Sequence, residues 1–210
     1  MRSVVSTHAL LRAAYVLNYF SLAVPSNTEG SKMGKKEPKS YYGGNEAKGG
    51  FPVHKQEHLI SCGPACMRMI AEWASKEPQS EYFWRVRSGW SSKYGFGRVH
   101  LTDEVANDLF AQMNVEHKKV EIDKWRDDPS KPSDVYKNEN VVYLLWTDSY
   151  DIDGTNIGHW MILVDMFDSD EPSPVKLAVT ADPQYDKLQI WNWKSLLASE
   201  VRAAYRIEPK

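Results

Sequence analysis

The hydrophobic period of the sequence changes partway along, and that change constrains the fold more than any other feature. After Gly63-Pro64 the apolar residues Cys66, Met69, Ile70 and Trp73 recur at i, i+3, i+4 and i+7, the stripe of a helix buried along one side. From Val141 onward the pattern becomes short runs rich in β-branched and aromatic residues: Val141 to Trp146 (VVYLLW), His159 to Phe167 (HWMILVDMF) and Val175 to Thr180 (VKLAVT). Such runs read as sheet strands. Helices first and an antiparallel sheet afterwards predict an α+β arrangement.

The first helix is expected to start at about Cys62 and to stop near Lys76, before Pro78. Pro64 suits its first turn, where the missing amide would have had no intrahelical acceptor. A second helix opens at Thr102, with Asp103 and Glu104 at its positive end and Val105, Leu109 and Met113 on one face. Gly154 to Gly158 reads as a loop feeding the second strand, and Asp168 to Pro174 (DSDEPSP) as the turn leaving it. Leu188 to Trp191 adds a short strand, Asn192 caps a helical turn over 193–200, and a final strand covers about Val201 to Ile207.

Upstream the chain changes character. Residues 25–50 are rich in Gly, Ser, Lys, Pro and Glu and nearly lack aliphatic side chains, so they cannot offset their own ordering entropy. They read as a flexible linker. Residues 1–24 hold no acidic residue and an apolar run from Ala13 to Val24 broken by Asn18, shorter than the roughly 20 residues a spanning helix needs. A leader or amphipathic helix is the preferred reading, with a secretory signal as the alternative. The expected organisation is therefore 1–50 leader and linker, and 51–210 a single folded domain, without stable membrane insertion. With 26 basic against 28 acidic residues and a net charge of −2, no global field attracts a polyanion, and nucleic acid is not an expected partner. The two cysteines, Cys62 and Cys66, cannot build a disulfide scaffold. Stability must come from packing, to which eight tryptophans and eleven tyrosines contribute.

Four positions carry chemistry. Ser61-Cys62-Gly63-Pro64 places a thiol in the first turn of a helix, where free amides and the helix dipole favour the nucleophilic thiolate. Cys66, one turn later on the buried stripe, reads as a small hydrophobe. A thiol nucleophile needs a base. His159 opens an apolar strand directly after Gly158, whereas His54, His58, His100 and His117 sit in polar surroundings and read as surface residues. If the second and third runs form a hairpin, Asp182 returns to the His159 end of the sheet and can accept its ring N–H; Asp165 is the rival, further along the strand. Gln56, six residues before Cys62, can join the Cys62 backbone N–H as a donor to a tetrahedral oxyanion.

Gln56, then Cys62-Gly63 opening a helix, then Gly158-His159-Trp160 at a strand start, then Asp182-Pro183 after the next strand resembles papain-like cysteine peptidases in order and context. The segment SCGPACMRMI looks most like compact bacterial members, such as double-glycine peptidase domains and avirulence-type effector peptidases. The resemblance covers about Val53 to the C-terminus. It implies a papain-like fold, with a helix carrying the cysteine packed against an antiparallel sheet carrying the histidine and aspartate. It makes Cys62 the nucleophile, His159 the base and later acid, Asp182 its orienter and Gln56 the oxyanion donor, with no cofactor and no metal. The Asp168 to Pro174 insertion departs from compact relatives by lengthening the spacing from histidine to acid. The implied reaction is hydrolysis of a protein substrate through a thioester.

The resemblance also implies a setting. No transporter segment follows the domain, so the expectation is a free-standing peptidase: an effector or interbacterial toxin, secreted or delivered into a target cell to act in its cytoplasm, with a cognate inhibitor or immunity protein in the producing cell. Compact relatives often cut after paired glycines, and Gly43-Gly44 and Gly49-Gly50 are self-processing candidates or simply linker glycines. Two rivals stand beside this reading. A transglutaminase or deamidase would use the same Cys-His-Asp set, and a metal-binding module would use His58, Cys62 and Cys66, although zinc sites more often add a second cysteine pair.

Overall fold

The computed structural model describes residues 46–47, 51–75, 79–90, 103–128, 130–135, 137–152, 155–169, 173, 175–199 and 201–210. The expected leader, both Gly-Gly pairs, His8 and His100 lie outside the described residues. The architecture is α+β, built on a six-stranded antiparallel sheet.

A two-stranded pair comes first, β1 (Glu46–Ala47) against β2 (Phe51–Pro52). Ordered backbone thus reaches into the stretch expected to be linker. Its anchor is Phe51, a fully buried ring 5.5 Å from that of Trp73. Helices α1 (Cys62–Ser75), α2 (Glu81–Arg87) and α3 (Asp103–Gln112) follow, then β3 (Val115–Val120) and α4 (Ile122–Asp127). The remaining chain is β4 (Val142–Ile152), β5 (Thr155–Asp168), β6 (Lys176–Ala181), β7 (Leu188–Asn192), α5 (Trp193–Ser199) and β8 (Val201–Pro209). The order across the sheet is β3-β8-β4-β5-β6-β7.

Burial on both faces explains why the paired stretches 142–146 of β4 and 160–164 of β5 are apolar at every position. Val142 and Leu144 of β4, with Trp160, Ile162 and Val164 of β5, join one buried cluster with α1 and α3. Tyr143, Leu145, Met161 and Leu163 join a second cluster with α4 and α5. Both faces of the sheet are covered. The register of β5 against β6 skips one residue between Leu163 and Asp165, a bulge that turns Met166 to the second cluster. Each Met, Ile or Leu so buried contributes about 1.5–3 kcal/mol relative to exposure.

Helix α1 follows its stripe: Cys66, Met69 and Ile70 are fully buried and Trp73 nearly so. Helix α3 starts at Asp103, buries Ala106 and Phe110 beside the expected Leu109 and Met113, and gives way to Asn114 in the left-handed conformation (φ 56°). Asn192 Oδ1 accepts the Ser195 N–H at 3.1 Å, capping α5 as expected. One expectation is corrected. Gly158 lies inside β5, not in a loop, because β4 and β5 keep pairing out to Ile152 opposite Thr155. Ladder bonds belong to the backbone, so the strand continues past the end of the apolar run. Among the described residues, no helix is long and apolar enough to cross a membrane.

Candidate active site

Helix α1 presents Cys62 at its first position. The Ser61 carbonyl accepts the Ala65 N–H at 3.0 Å, the first bond of the helix. Cys62 and Gly63 therefore carry amides without intrahelical acceptors, and Pro64 carries none. The Cys62 side chain is 7% exposed, and both cysteines are free. Cys66 differs in kind: burial pushes its thiol well above the ordinary range, and the charges of Cys62, Asp182 and Glu81 add to that. It stays protonated and packs as a small hydrophobe.

Strand register brings the second and third groups together. Ile162 faces Ala181 across β5 and β6, so Asp182 follows opposite Met161 and lies diagonal to His159, two residues on along the same face. His159 Nε2 and Asp182 Oδ1 are 2.7 Å apart, at 1% and 0% exposure. The same Asp182 oxygen accepts the Gln184 N–H at 2.9 Å, which fixes the carboxylate from behind. The His159 backbone is held as well, its carbonyl accepting the Thr147 hydroxyl at 3.1 Å.

His159 also hydrogen-bonds the sulfur of Cys62. Because Asp182 takes Nε2, the nitrogen left for the sulfur is Nδ1. Burial alone would pull the imidazole pKa down, but the bonds to Asp182 and Cys62, together with the charges of both, outweigh it and push His159 up to about 9. Asp165, the rival acid, lies beyond the bulge inside β5, its Oδ1 accepting the Met166 N–H at 2.8 Å.

Gln56 reaches the same region from another direction. Its backbone N–H donates to the Pro183 carbonyl at 2.7 Å, tying the segment before α1 to the turn after Asp182. Its side-chain Nε2 donates to the Leu59 carbonyl at 2.6 Å. That bond uses one of the two amide protons of the side chain. Oε1 is buried without a partner among the described residues.

The other described histidines stand in separate settings. His54 pairs with Glu72 at 2.6 Å, His117 with Asn107 at 2.7 Å, and His58 packs on Trp90 with ring centroids 5.3 Å apart. Among the described residues no group of three His, Cys, Asp or Glu side chains is placed to hold a metal ion. Sequence reasoning missed two supports of the site. Trp146 lies over Gly158: a Cβ there would stand 2.0 Å from Cη2 of the indole. Helix α2 supplies Glu81, buried against the segment between Gln56 and Cys62. Its N-cap was readable, since Ser80 accepts the Phe83 N–H at 3.2 Å, Glu81 opens the helix and Arg85 and Arg87 close it, but seven residues are too few for a periodic signal.

No protein-family model matches the chain, and no curated protein sequence matches it.

Proposed function

We propose that the chain is a papain-like cysteine peptidase. The observation that carries this reading is the buried histidine bonded to a carboxylate through Nε2, with the helix-terminal Cys62 as its second hydrogen-bond partner. A histidine kept for packing needs only one partner for its one N–H; one bonded on both sides is poised to move a proton between them.

In this mechanism the Cys62 thiolate attacks the carbonyl carbon of a peptide bond. The Cys62 amide and the second Gln56 amide proton stabilise the oxyanion, and the helix dipole adds to them. His159, protonated at neutral pH, gives its proton to the departing amine. The remaining thioester is cleaved when His159, now neutral, takes a proton from water. Asp182 holds the ring in the orientation both transfers need. Cleavage after paired glycines and service as a delivered effector or interbacterial toxin, restrained by a cognate immunity protein, are the substrate and setting that the compact bacterial resemblance implies.

Labelling with iodoacetamide across pH tests the pair. An unperturbed thiol titrates at about 8.5, so the expected result is an adduct on Cys62, not Cys66, forming rapidly below pH of about 7 and slowing in His159→Ala. Equal labelling of wild type and His159→Ala in that range would overturn the reading. Product mass then identifies the acyl acceptor. Two fragments mean hydrolysis; a gain of about one mass unit means deamidation and joined chains mean transglutamination, either of which would replace the peptidase assignment.

A further inference from the structure

The segment from Gln56 to Cys62 carries both groups that the proposed mechanism aims at the oxyanion, so whatever fixes its shape fixes their separation. Glu81, the first residue of α2, is fully buried beside it. Oε2 accepts the Glu57 N–H at 2.9 Å, and Oε1 takes the Ser61 hydroxyl at 2.6 Å. Glu57 adjoins Gln56, and Ser61 adjoins Cys62. The rest of this stretch reinforces the link: Trp90 Nε1 donates to the Ile60 carbonyl at 3.0 Å, and Arg85 pairs with the Glu57 carboxylate at 2.9 Å while lying over the Trp90 ring.

We propose that Glu81 is a positioning residue for acyl transfer at Cys62, its two oxygens spanning the segment so that the Gln56 and Cys62 donors converge on one point. This deepens the peptidase reading and rests on it. Burying a carboxylate is costly unless its lone pairs are used, and here both oxygens are spent on the two neighbours of the oxyanion donors. An apolar side chain would fill the same volume without that cost, but it would leave the segment unpinned.

The clamp works through geometry rather than charge. Ser61 Oγ lies 2.9 Å from the His58 carbonyl and accepts the His58 N–H at 3.1 Å. A serine hydroxyl has one proton, so a donor at position 81 can bond Oγ while the serine turns its own proton to His58 O. A glutamine at 81 keeps its oxygen on the Glu57 N–H and gives an amide proton to Ser61. Glu81→Gln therefore restores what Glu81→Ala removes.

The test compares two reactions of the same thiol in the full chain. Alkylation by iodoacetamide needs a thiolate but no oxyanion donors. Acylation by p-nitrophenyl acetate, in which the thiolate displaces p-nitrophenolate from the acetyl carbon, needs the thiolate and is accelerated by the donors. Wild type is expected to show an acylation-to-alkylation ratio about tenfold or more above that of N-acetylcysteine. In Glu81→Ala and Ser61→Ala the ratio falls toward the free-thiol value while alkylation stays within about twofold, and in Glu81→Gln it returns. If Glu81→Ala does not fold, Ser61→Ala, which keeps the Glu57-side bond and removes the Cys62-side bond together with the Oγ contacts to His58, is read against Glu81→Gln, which leaves the His58 contacts in place, and the two together decide the question. A wild-type ratio equal to that of the free thiol overturns the peptidase reading together with this proposal. A high wild-type ratio that survives Ser61→Ala and Glu81→Ala, or alkylation and acylation falling in parallel, overturns the role of Glu81 alone.

Discussion

His159 Nε2 and Asp182 Oδ1 meet at 2.7 Å with neither side chain reaching solvent, and the same carboxylate oxygen is held by the Gln184 amide. Removing one partner of such a pair leaves the other buried and uncompensated, which costs about 3–5 kcal/mol. Asp182→Ala is therefore expected to lower the melting temperature as well as hydrolysis. Asp182→Asn preserves shape and an acceptor oxygen but not the charge, so it is expected to spare most of the stability and lose about 10²–10⁴-fold in rate. Thermal melts and turnover measured on both variants separate the two effects, and equal turnover in wild type and Asp182→Asn would remove Asp182 from the mechanism.

The pH dependence follows from the imidazole. His159 is pushed up to about 9, against an ordinary value of about 6.5 in an unfolded chain. A group whose pKa is raised by folding contributes stability that is complete below its unfolded pKa and is lost as pH rises through the folded one. Stability is thus expected to decline between about pH 6.5 and pH 9 in wild type, with a flatter profile in His159→Asn. Hydrolysis loses its proton donor over the upper part of that range, whereas alkylation of Cys62 does not. A turnover profile still rising beyond pH of about 10 would contradict the assignment of His159 as the acid.

What was legible in the sequence was whatever apolar periodicity could write. Helix α1, the hairpin of β5 and β6, and the α5 cap at Asn192 all rest on runs or capping residues long enough to carry a signal. From them the meeting of His159 and Asp182 was readable, because strand register converts sequence distance into position. Strand β3 was not readable. Its sequence VEHKKV is mostly polar because it lies at the edge of the sheet, where lysines discourage further pairing. Glu81 was hidden for the opposite reason: an acidic residue opening a helix suits solvent and the helix dipole equally well, and only the fold reveals its burial.

Gly158 is expected to tolerate no side chain. An added Cβ would stand 2.0 Å from Cη2 and 2.1 Å from Cζ2 of Trp146, a rigid ring that packs on Trp160 at 5.0 Å between centroids. Gly158→Ala must displace the indole or the strand that carries His159, at a cost of about 1–3 kcal/mol. Adding Trp146→Leu should recover part of that loss, since the two positions touch and their effects cannot be additive. Melting temperatures of both single variants and the double variant check this, and strictly additive losses would show that the contact is not the cause.

Gln56 offers the sharpest separation between a structural and a chemical role. As a structural link it is poor. Nε2 reaches only the Leu59 carbonyl, and Oε1 is buried without a partner among the described residues, which forfeits about 1–3 kcal/mol. Methionine matches the volume and leaves no orphaned side-chain atom, so Gln56→Met is expected to cost little in melting temperature. If the second amide proton stabilises an oxyanion, the same variant loses about 10²–10³ in kcat, with KM nearly unchanged because the bond strengthens only in the transition state. Gln56→Glu, unable to donate when ionised, should fall as far. Full activity in Gln56→Met would leave the Cys62 amide as the oxyanion donor without help from Gln56, and would move the function of the segment to its backbone.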